Sequence, residues 1–306
     1  MTPVDLRVVD LSVRHPGPRG PVTAVDRVGI RLPAGRVTAL VGESGSGKST
    51  LARALVGLVR PHTGRVLVDG RALRVRTVRD RRWVAGRVQM VFQDPDTALD
   101  PRMTVRDTLV EAASALVRLE RPDRDARVAE LLGLVGLDAH IASRLPRELS
   151  GGQRQRVALA RALAVGPGAL IADEITSALD APSQAAVLGT LRDLQRRLGL
   201  NVLFISHSLT AVRQVADHVA VMRLGRIVEH ACAEDLFRSP GHPYTRTLLD
   251  AEPTLLGDAG EPSPAVPPPV PPPIPQPIPQ PGPSPIPSPI PEAGPSPGPS
   301  PGRPGT

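Results

Sequence analysis

The sequence GESGSGKST, Gly42 to Thr50, decides the fold of this chain. It lies between the apolar run Val37–Val41 and the apolar-periodic run Leu51–Val59, so a short buried strand is predicted to lead through a glycine-rich turn into a helix. Glycines in such a turn allow backbone N–H groups to converge on an anion, and the helix N-terminus adds its positive dipole end. The stretch therefore predicts a phosphate-binding P-loop.

Lys48 is the residue of this loop with the most distinctive chemistry. It is the only lysine in the chain, because 36 of the 37 lysine and arginine residues are arginines. A compact ammonium suits a phosphate as a point charge, so Lys48 is predicted to reach the β- and γ-phosphates of a nucleotide. Ser49 is predicted to give its hydroxyl to Mg²⁺, and Thr50 to bond a phosphate nearer the ribose. The loop residues expected to contact nucleotide are Gly42, Glu43, Ser44, Gly45, Ser46, Gly47, Lys48, Ser49 and Thr50.

Two other interpretations of the loop fit less well. A glycine- and serine-rich surface loop leaves the unique lysine and the flanking strand and helix unexplained. A Rossmann dinucleotide-binding turn requires the spacing G-x-G-x-x-G, and the third position after Gly45 and Gly47 is Thr50. Phosphate binding is the interpretation that all of these features favour.

The composition changes near residue 256. Residues 1–256 alternate apolar runs with charged and turn residues, as folded domains do, and residues 257–306 hold 22 of the 37 prolines. Each proline costs about 3 kcal/mol in a helix interior, so the uncharged stretch 262–290 is predicted not to be a membrane span. A disordered, solvated polyproline II tail is favoured over a spacer or a ligand for a proline-binding domain.

The charge of the chain leaves several partners open. The formal net charge is +7, and the first 256 residues carry about +9. Nucleic acid or an anionic membrane surface would both suit a basic protein. However, the arginines form only a loose cluster from Arg71 to Arg87, with no aromatic stacking platform, so phosphate ligands and a solvated surface are favoured and no nucleic acid is expected. One cysteine, Cys232, excludes a disulfide framework, and the absence of a signal pattern in Met1–Asp10 favours the cytoplasm.

The order of apolar segments predicts an α/β fold. Apolar strands at Val37–Val41, Leu170–Asp173 and Val202–Ile205 alternate with helices, which indicates a parallel sheet covered on both faces. Alternating strands at Val4–Val13 and Val22–Leu32 indicate a small antiparallel layer. The helical periodicity of residues 104–165 indicates a helical subdomain. Residues 231–256 are predicted to form a short C-terminal extension.

Polar side chains follow the other predicted parallel strands. Asp173 and Glu174 end the strand Leu170–Asp173, where open α/β sheets place their ligands. Asp173 is predicted to hold Mg²⁺ through its water shell, and Glu174, one residue later, to orient and polarise an attacking water. A helix cap or salt bridge is the alternative for such an acidic pair. The P-loop lysine 125 residues earlier favours catalysis.

Two more residues complete this predicted edge of the sheet. His207 follows the strand Val202–Ile205 and could hydrogen-bond a γ-phosphate, although a lone histidine is more often structural. Gln93 follows the apolar segment Arg87–Phe92, and its amide oxygen could complete the Mg²⁺ coordination sphere. His207 is also predicted to help hold the attacking water, and Gln93 to sense whether a γ-phosphate is present.

The segment LSGGQRQR, Leu149 to Arg156, is the most specific feature after the P-loop. Ser150 is a good N-cap, so Ser150, Gly151 and Gly152 form a second glycine-containing helix N-terminus and a second predicted anion site. One chain that hydrolyses one nucleotide does not need two such sites. Two chains arranged head to tail, each covering the nucleotide of the other, explain the pair economically.

The order GESGSGKST, FQDP, LSGGQRQR, LIADE, SALD and SHS resembles the ATP-binding subunits of ABC transporters over about residues 4–256. ALDPRMTV, Ala98 to Val105, and SPGHPYTRTLLDAEP, Ser239 to Pro253, are similar to the oligopeptide and dipeptide importer branch, which also includes nickel importers. The resemblance implies an ABC ATPase fold. It also implies these roles: Lys48 in Walker A, Gln93 in the Q-loop, Ser150, Gly151, Gly152 and Gln153 in the signature, Asp173 in Walker B, Glu174 as catalytic base, Ser177–Asp180 in the D-loop (with Asp180 near the nucleotide) and His207 as switch histidine.

Three positions depart from the pattern of that branch. His15 stands where an aromatic ring usually stacks on adenine, and imidazole offers a smaller face. Ile175 replaces a usual proline and Ser208 a usual aspartate, and neither change removes a catalytic group. The cysteine cluster of some relatives is absent from the sequence, so no iron–sulfur cluster is expected.

The resemblance implies an ATPase subunit that uses ATP and Mg²⁺ to power an importer, with oligopeptides or dipeptides favoured over nickel or another small solute. Its expected partners are a second ATPase subunit (identical or related), separate permease chains and, indirectly, an extracellular solute-binding protein. It would act at the cytoplasmic face of the cell membrane. A non-transport subunit of a multi-enzyme complex is the alternative. A nucleic-acid-linked ABC ATPase fits less well because only 57 positions separate Gln93 from Ser150, too few for a long coiled coil.

Overall fold

The computed structural model of the chain describes residues 2–18, 20–116 and 119–251, with the backbone alone at residues 95 and 96. The predicted proline-rich tail, 257–306, lies outside the described residues. Ten strands and ten α-helices occur in the described part, together with short 3₁₀ turns at Ala139–Ser143 and Pro146–Glu148. None of the described helices is long and apolar enough to cross a membrane.

The strands form two sheets. They are β1 Leu6–His15, β2 Val22–Leu32, β3 Val37–Val41, β4 Thr63–Val68, β5 Arg71–Ala72, β6 Val88–Val91, β7 Ala169–Asp173, β8 Asn201–Ile205, β9 His218–Arg223 and β10 Arg226–Cys232. The first sheet is antiparallel, in the order β2-β1-β4-β5, and the second has the order β10-β9-β3-β8-β7-β6. Within the second sheet only the β9–β10 pairing is antiparallel. The predicted parallel sheet and antiparallel layer are thus both present.

Most of the helices pack against the second sheet, and the first helix shares a core with both sheets. They are α1 Lys48–Leu55, α2 Val78–Ala85, α3 Pro95–Ala98, α4 Val105–Ser114, α5 Arg121–Leu134, α6 Gly151–Leu163, α7 Ala181–Leu198, α8 Leu209–Val215, α9 Ala233–Arg238 and α10 Pro243–Asp250. Helices α4 to α6 lie within the bounds predicted for the helical subdomain. Helix α6 begins at its predicted N-cap, Ser150, whose hydroxyl accepts a bond from Gln153 N–H.

The central strands are buried on both faces. Every residue of β3, β7 and β8 is buried, as expected for parallel strands with near-continuous apolar sequence. Alternate side chains of β8 enter different cores: Phe204 packs with the helical side, and Leu203 and Ile205 pack with α1 and the antiparallel sheet. This double burial fixes the carboxyl ends of the parallel strands, from which the candidate site is built.

Several boundaries differ from the sequence predictions. Strand β1 runs to His15 rather than Val13, and β10 runs to Cys232, so the predicted C-terminal extension begins inside a strand. Helix α2 lies within the arginine cluster, where no helix was predicted. Only Val84 of its eight residues is buried, so its sequence has no apolar stripe that would indicate a helix. Helices α8, α9 and α10 were also not predicted.

Candidate functional site

The candidate site lies at the carboxyl edge of the parallel sheet. Leu40 of β3 and Asp173 of β7 both pair with Ile205 of β8, so the ends of these three strands are level. Glu174 N–H donates to the Ile205 carbonyl at 3.0 Å, which holds the residue after β7 against β8. The residues that follow all three strands therefore emerge along one edge, as ligand sites of open α/β sheets do.

The loop after β3 requires glycine at two positions. Gly42 has φ +146° and Gly47 has φ +108°, a region that residues with a Cβ rarely adopt. A Cβ would also lie 2.1 Å from the Met222 carbonyl at Gly42 and 2.2 Å from the Ala24 carbonyl at Gly47. Beside Gly42, the buried Ser46 hydroxyl has no hydrogen-bond partner among the described residues, which leaves a donor for an anion in this cradle.

Lys48 opens α1 and is only 5% exposed. Its ammonium donates to two carbonyls of its own loop, those of Gly42 at 2.7 Å and Glu43 at 2.9 Å. Burial lowers the pKa of Lys48, while nearby carboxylates, Glu174 foremost, act in the opposite direction. The Lys48 ammonium is therefore held beside the loop backbone. A bound phosphate would replace these two carbonyls as the acceptor of its hydrogen bonds.

Ser49 and Asp173 form the second cluster of the site. The Ser49 hydroxyl donates to Asp173 Oδ1 at 3.1 Å, which joins α1 to the end of β7. Burial raises the pKa of the Asp173 carboxyl, the bond from Ser49 opposes that shift, and the Glu174 carboxylate adds to it. A hydroxyl and a carboxylate oxygen at this distance are a donor set that suits Mg²⁺.

Glu174 and His207 form the third cluster. Glu174 has φ +50°, an uncommon conformation for a residue with a Cβ. Its carboxylate Oε2 lies 3.8 Å from His207 Nδ1, and the His207 side chain is 62% exposed. The adjacent carboxylates thus differ in their contacts: Asp173 bonds Ser49, and Glu174 lies near both Lys48 and His207. The roles predicted for the two carboxylates, in Mg²⁺ binding and in catalysis, stay predictions.

His15 and Gln93 lie at the margins of the site. His15 Nε2 is 3.3 Å from the Thr50 hydroxyl, so the end of β1 reaches the first turn of α1. Gln93 is exposed two residues beyond Val91, which pairs with Ala172 of β7, so Gln93 follows the sheet edge beside Asp173. Their predicted contacts with adenine and Mg²⁺ stay predictions.

The signature segment is bonded within itself. Gln153 N–H donates to Ser150 Oγ at 3.2 Å, and Ser150 N–H donates to Gln153 Oε1 at 2.9 Å. Ser150 is exposed, whereas Gly152 is buried beside Ser183 of α7. A Cβ on Gly152 would lie 3.1 Å from that of Ser183, so glycine allows the close approach of α6 and α7. The reciprocal bonds form a capping box that presents this helix N-terminus outward.

The model of the ABC transporter family matches residues 25–177, which contain the P-loop, the signature and the acidic pair at the end of β7. The chain belongs to the ABC transporter family. It is an ATP-binding ABC cassette with ATPase activity, as the resemblance of its motifs implied.

Two curated relatives cover most of the cassette. The chain is 46% identical over 250 residues to a Brucella abortus (strain 2308) protein named "Putative peptide import ATP-binding protein", covering 81% of this chain and 75% of that one. It is 44% identical over 255 residues to a Brucella ovis protein of the same description, covering 80% of each chain.

Solved ABC cassettes share the fold. The dimeric structure of MJ0796, a bacterial ABC transporter cassette, has a TM-score of 0.68 at 25% identity and covers 74% of this chain and 98% of its own. A second MJ0796 structure is a dimeric post-hydrolysis state bound to ADP and Pi, with the same TM-score. CbiO1 of Clostridium perfringens, part of the transporter complex cbiONQ, matches with a TM-score of 0.68 at 29% identity, over 76% of this chain and 90% of its own.

Asp180 has a structural contact that the sequence did not indicate. Its carboxylate accepts a bond from Ser183 N–H at 2.8 Å and caps α7, and its hydrogen bonding with Ser183 lowers its pKa. The predicted role of Asp180 near the nucleotide of the cassette stays a prediction.

Tyr244 is a site residue that sequence reasoning missed. It lies in α10, inside the segment SPGHPYTRTLLDAEP, and its hydroxyl accepts a bond from the P-loop amide of Glu43 at 3.2 Å. Burial raises the pKa of this hydroxyl. Arg223 lies 4.7 Å from the ring centroid, and Glu229 accepts bonds from the two residues before α10, which fixes the helix start. The C-terminal extension of the cassette therefore supports the phosphate loop directly.

Proposed function

We propose that this cassette is the ATP-hydrolysing subunit of an importer for oligopeptides or dipeptides. The observation that carries the proposal is the level sheet edge, which brings Lys48, Asp173 and Glu174 together with His207. The relatives named for peptide import share 44–46% identity with it over most of both chains, and this supports the importer branch.

Each cluster has a defined part in the proposed hydrolysis. The loop amides and Lys48 hold the phosphates, and the ammonium offsets the charge that develops on the transferred group. Glu174 orients the attacking water and accepts its proton, and His207 bonds the γ-phosphate. Because Glu174 and His207 face each other at 3.8 Å, a water between them and the γ-phosphate would contact both.

Ser49 and Asp173 fit a magnesium ion. Their oxygens are 3.1 Å apart, and the hydroxyl already orients the carboxylate. Ser49 and Asp173 would hold Mg²⁺ there, and the ion would supply positive charge that offsets the negative charge of the phosphates. The Gln93 amide, on the adjacent strand end, would add an oxygen when it turns inward.

The proposed assembly is a head-to-tail dimer of cassettes. Ser150, Gly151, Gly152 and Gln153 of one chain would cover the nucleotide held by Gly42–Thr50 of the other, with Asp180 and His15 at the margins of the site. The dimeric form of MJ0796 supports dimerisation of the cassette. The segment near Gln93 would pass the motion to separate permease chains at the cytoplasmic face of the membrane, with an extracellular solute-binding protein acting indirectly.

Reconstitution tests the proposal. The cassette is reconstituted in vesicles with candidate permease and binding-protein chains, and uptake of a labelled tripeptide and release of phosphate are measured. The Glu174→Gln variant should bind ATP like the parent while losing at least about a hundredfold in both rates. Phosphate release by this variant at the parent rate would show that Glu174 is not the base. Uptake of Ni²⁺ without peptide would contradict the substrate class.

A further inference from the structure

The arginine cluster noted in the sequence, Arg71 to Arg87, joins Arg60 and Arg65 on a surface of the folded cassette that has no part in the proposed ATP hydrolysis. Residues 58–87 contain nine arginines and two aspartates, a formal charge of +7 that equals the net charge of the whole chain. Both aspartates are engaged locally: Asp80 accepts bonds from the backbone of Arg76 and Thr77, and Asp69 lies 3.9 Å from Arg87. The remaining charge is therefore little compensated.

Five of these arginines form what we call the basic surface: Arg60, Arg65, Arg74, Arg76 and Arg81. All five are exposed, and among the described residues no carboxylate oxygen lies within 4 Å of their guanidinium nitrogens. Four of them line a cleft of about 440 Å³ with an apolar floor that includes Val66 and Leu73, and its described lining contains no acidic side chain. Such a cleft fits an anionic group attached to an apolar body.

Two large apolar side chains stand beside the basic surface. Val78, at the start of α2, is 73% exposed, and Leu58 is 62% exposed. Exposed aliphatic side chains among arginines match the boundary of a bilayer, where apolar groups enter the interface and guanidinium groups bond phosphates. Nucleic acid is less well matched, because Trp83, the only Phe, Trp or Tyr of residues 58–87, already has Arg71 and Arg87 within 4.7 Å of its ring centroid.

The basic surface adjoins the segment that leads to Gln93. The lining of a neighbouring cleft includes Leu58, Val75 and Arg81 together with Gln89 and Phe92. The two clefts share Gly57 and Val75, so they adjoin each other. Since the proposed permease contact lies at Gln93, a bilayer that holds the permease would lie next to these clefts. That orientation rests on the proposed importer function.

We propose that the basic surface binds the phosphate headgroups of anionic lipids and holds the cassette against the membrane at its permease. The arginines would bond the phosphates, while Val78 and Leu58 enter the headgroup region. Contact of this kind is electrostatic, so it weakens as salt is added.

Vesicle binding by the full chain tests this directly. The chain is floated with phosphatidylcholine vesicles, with or without about one third phosphatidylglycerol, in about 0.1 M salt. The parent should bind only the anionic vesicles, and the triple variant Arg65→Gln/Arg74→Gln/Arg76→Gln should bind them on the order of a hundredfold more weakly. The matched control, Arg121→Gln/Arg196→Gln/Arg197→Gln, removes three exposed arginines from α5 and α7 and should bind within about twofold of the parent.

Each contrary outcome is distinct. Equal binding by the two triple variants, or parent binding to pure phosphatidylcholine, would overturn the proposal. So would failure to bind anionic vesicles, with or without binding of duplex DNA at the same salt. The ATPase rate of both triple variants should stay at the parent value, and Glu174→Gln should bind vesicles like the parent. Lipid binding that persists when peptide uptake fails would count against the importer function alone.

Discussion

The P-loop and the signature segment are both glycine-containing helix N-termini of one chain, but they are connected to it differently. The P-loop is bonded into the structure from several sides: Gly225 N–H donates to the Ser46 carbonyl at 2.9 Å, and Glu43 N–H donates to Tyr244. Ser150 is exposed, and within the described part of the chain its side chain bonds only Gln153 N–H, in the first turn of its own helix.

This difference indicates which half of the nucleotide site each segment supplies. A loop held by distant strands and helices keeps its amides converged before ligand arrives, which lowers the ordering cost of binding. An outward helix N-terminus has its capping bonds satisfied locally and is ready to meet a ligand carried by another molecule. The contrast supports a composite site made by two chains.

The largest expected effect is on the ATPase rate, when two inactive variants, one in the P-loop and one in the signature, are mixed. Lys48→Ala removes the P-loop charge, and Ser150→Arg places a bulky cation on the signature, so each alone should lose at least about a hundredfold in ATPase rate. A mixed dimer carries one intact site, made from the P-loop of one chain and the signature of the other. Steady-state phosphate release by the mixture should recover to about a quarter of the parent rate, since half of randomly paired dimers are mixed.

Ser150→Thr keeps the capping hydroxyl and serves as the control that should remain active. No recovery on mixing, with both variants folded by circular dichroism, would place each complete site within a single chain.

Replacing His207 should have the next largest effect. His207→Ala removes the proposed γ-phosphate contact, so kcat should fall about tenfold to a hundredfold while KM for ATP changes little. The side chain is 62% exposed, so the melting temperature should stay close to that of the parent. Steady-state kinetics and thermal melts on one preparation check both parts, and a large loss of stability with unchanged kcat would make the residue structural.

Tyr244→Phe should have a smaller effect, on nucleotide affinity, because it removes one hydrogen bond to the P-loop. The ring remains, while the Glu43 amide loses its hydroxyl partner. Loss of one such bond corresponds to about 0.5–1.5 kcal/mol, so the Kd for a fluorescent ATP analogue should rise about twofold to tenfold. Thr247→Ala, on the exposed side of α10, is the control and should leave that Kd unchanged. Equal Kd values for the two variants would remove Tyr244 from the site.

The smallest expected effect concerns pH. Burial raises the pKa of the Asp173 carboxyl in the folded state, so ionising this carboxyl opposes folding. The resulting loss of folding stability develops as pH rises from the pKa of this carboxyl in the unfolded chain to its pKa in the folded chain. Asp173→Asn should therefore melt at a higher temperature than the nucleotide-free parent near neutral pH, by about 2–4 °C per kcal/mol regained. The difference should vanish in acid, where both proteins are neutral at this position. If Asp173→Asn melts at the same temperature as the parent or at a lower one at every pH, this electrostatic account is wrong.

Much of the fold was predictable because its sequence signals are local. Val37–Val41 was predicted to the residue, since five apolar residues run directly into a glycine-rich turn. Helix α6 followed from its N-cap, Ser150. Helix α2 was missed because arginines occupy its exposed faces, although the capping box formed by Thr77 and Asp80 was a usable signal.

The candidate site was predictable where strand order fixes it and not elsewhere. Ends of parallel strands meet at one edge, so Asp173, Glu174 and His207 could be placed together from their positions after apolar runs. The contact between Tyr244 and Glu43 joins residues 201 positions apart and has no periodic pattern to indicate it. Only packing of the C-terminal extension against the P-loop creates that contact.

The Tyr244 hydroxyl also sets an order of events during synthesis. The phosphate loop leaves the ribosome early, yet one of its amides has its partner on the last helix described, α10. Because the chain is synthesised from its N-terminus, this bond can form only after about two hundred residues beyond the P-loop have been added. A nascent chain that still lacks α10 therefore lacks this partner for the Glu43 amide, and the P-loop gains the bond only after α10 has been made.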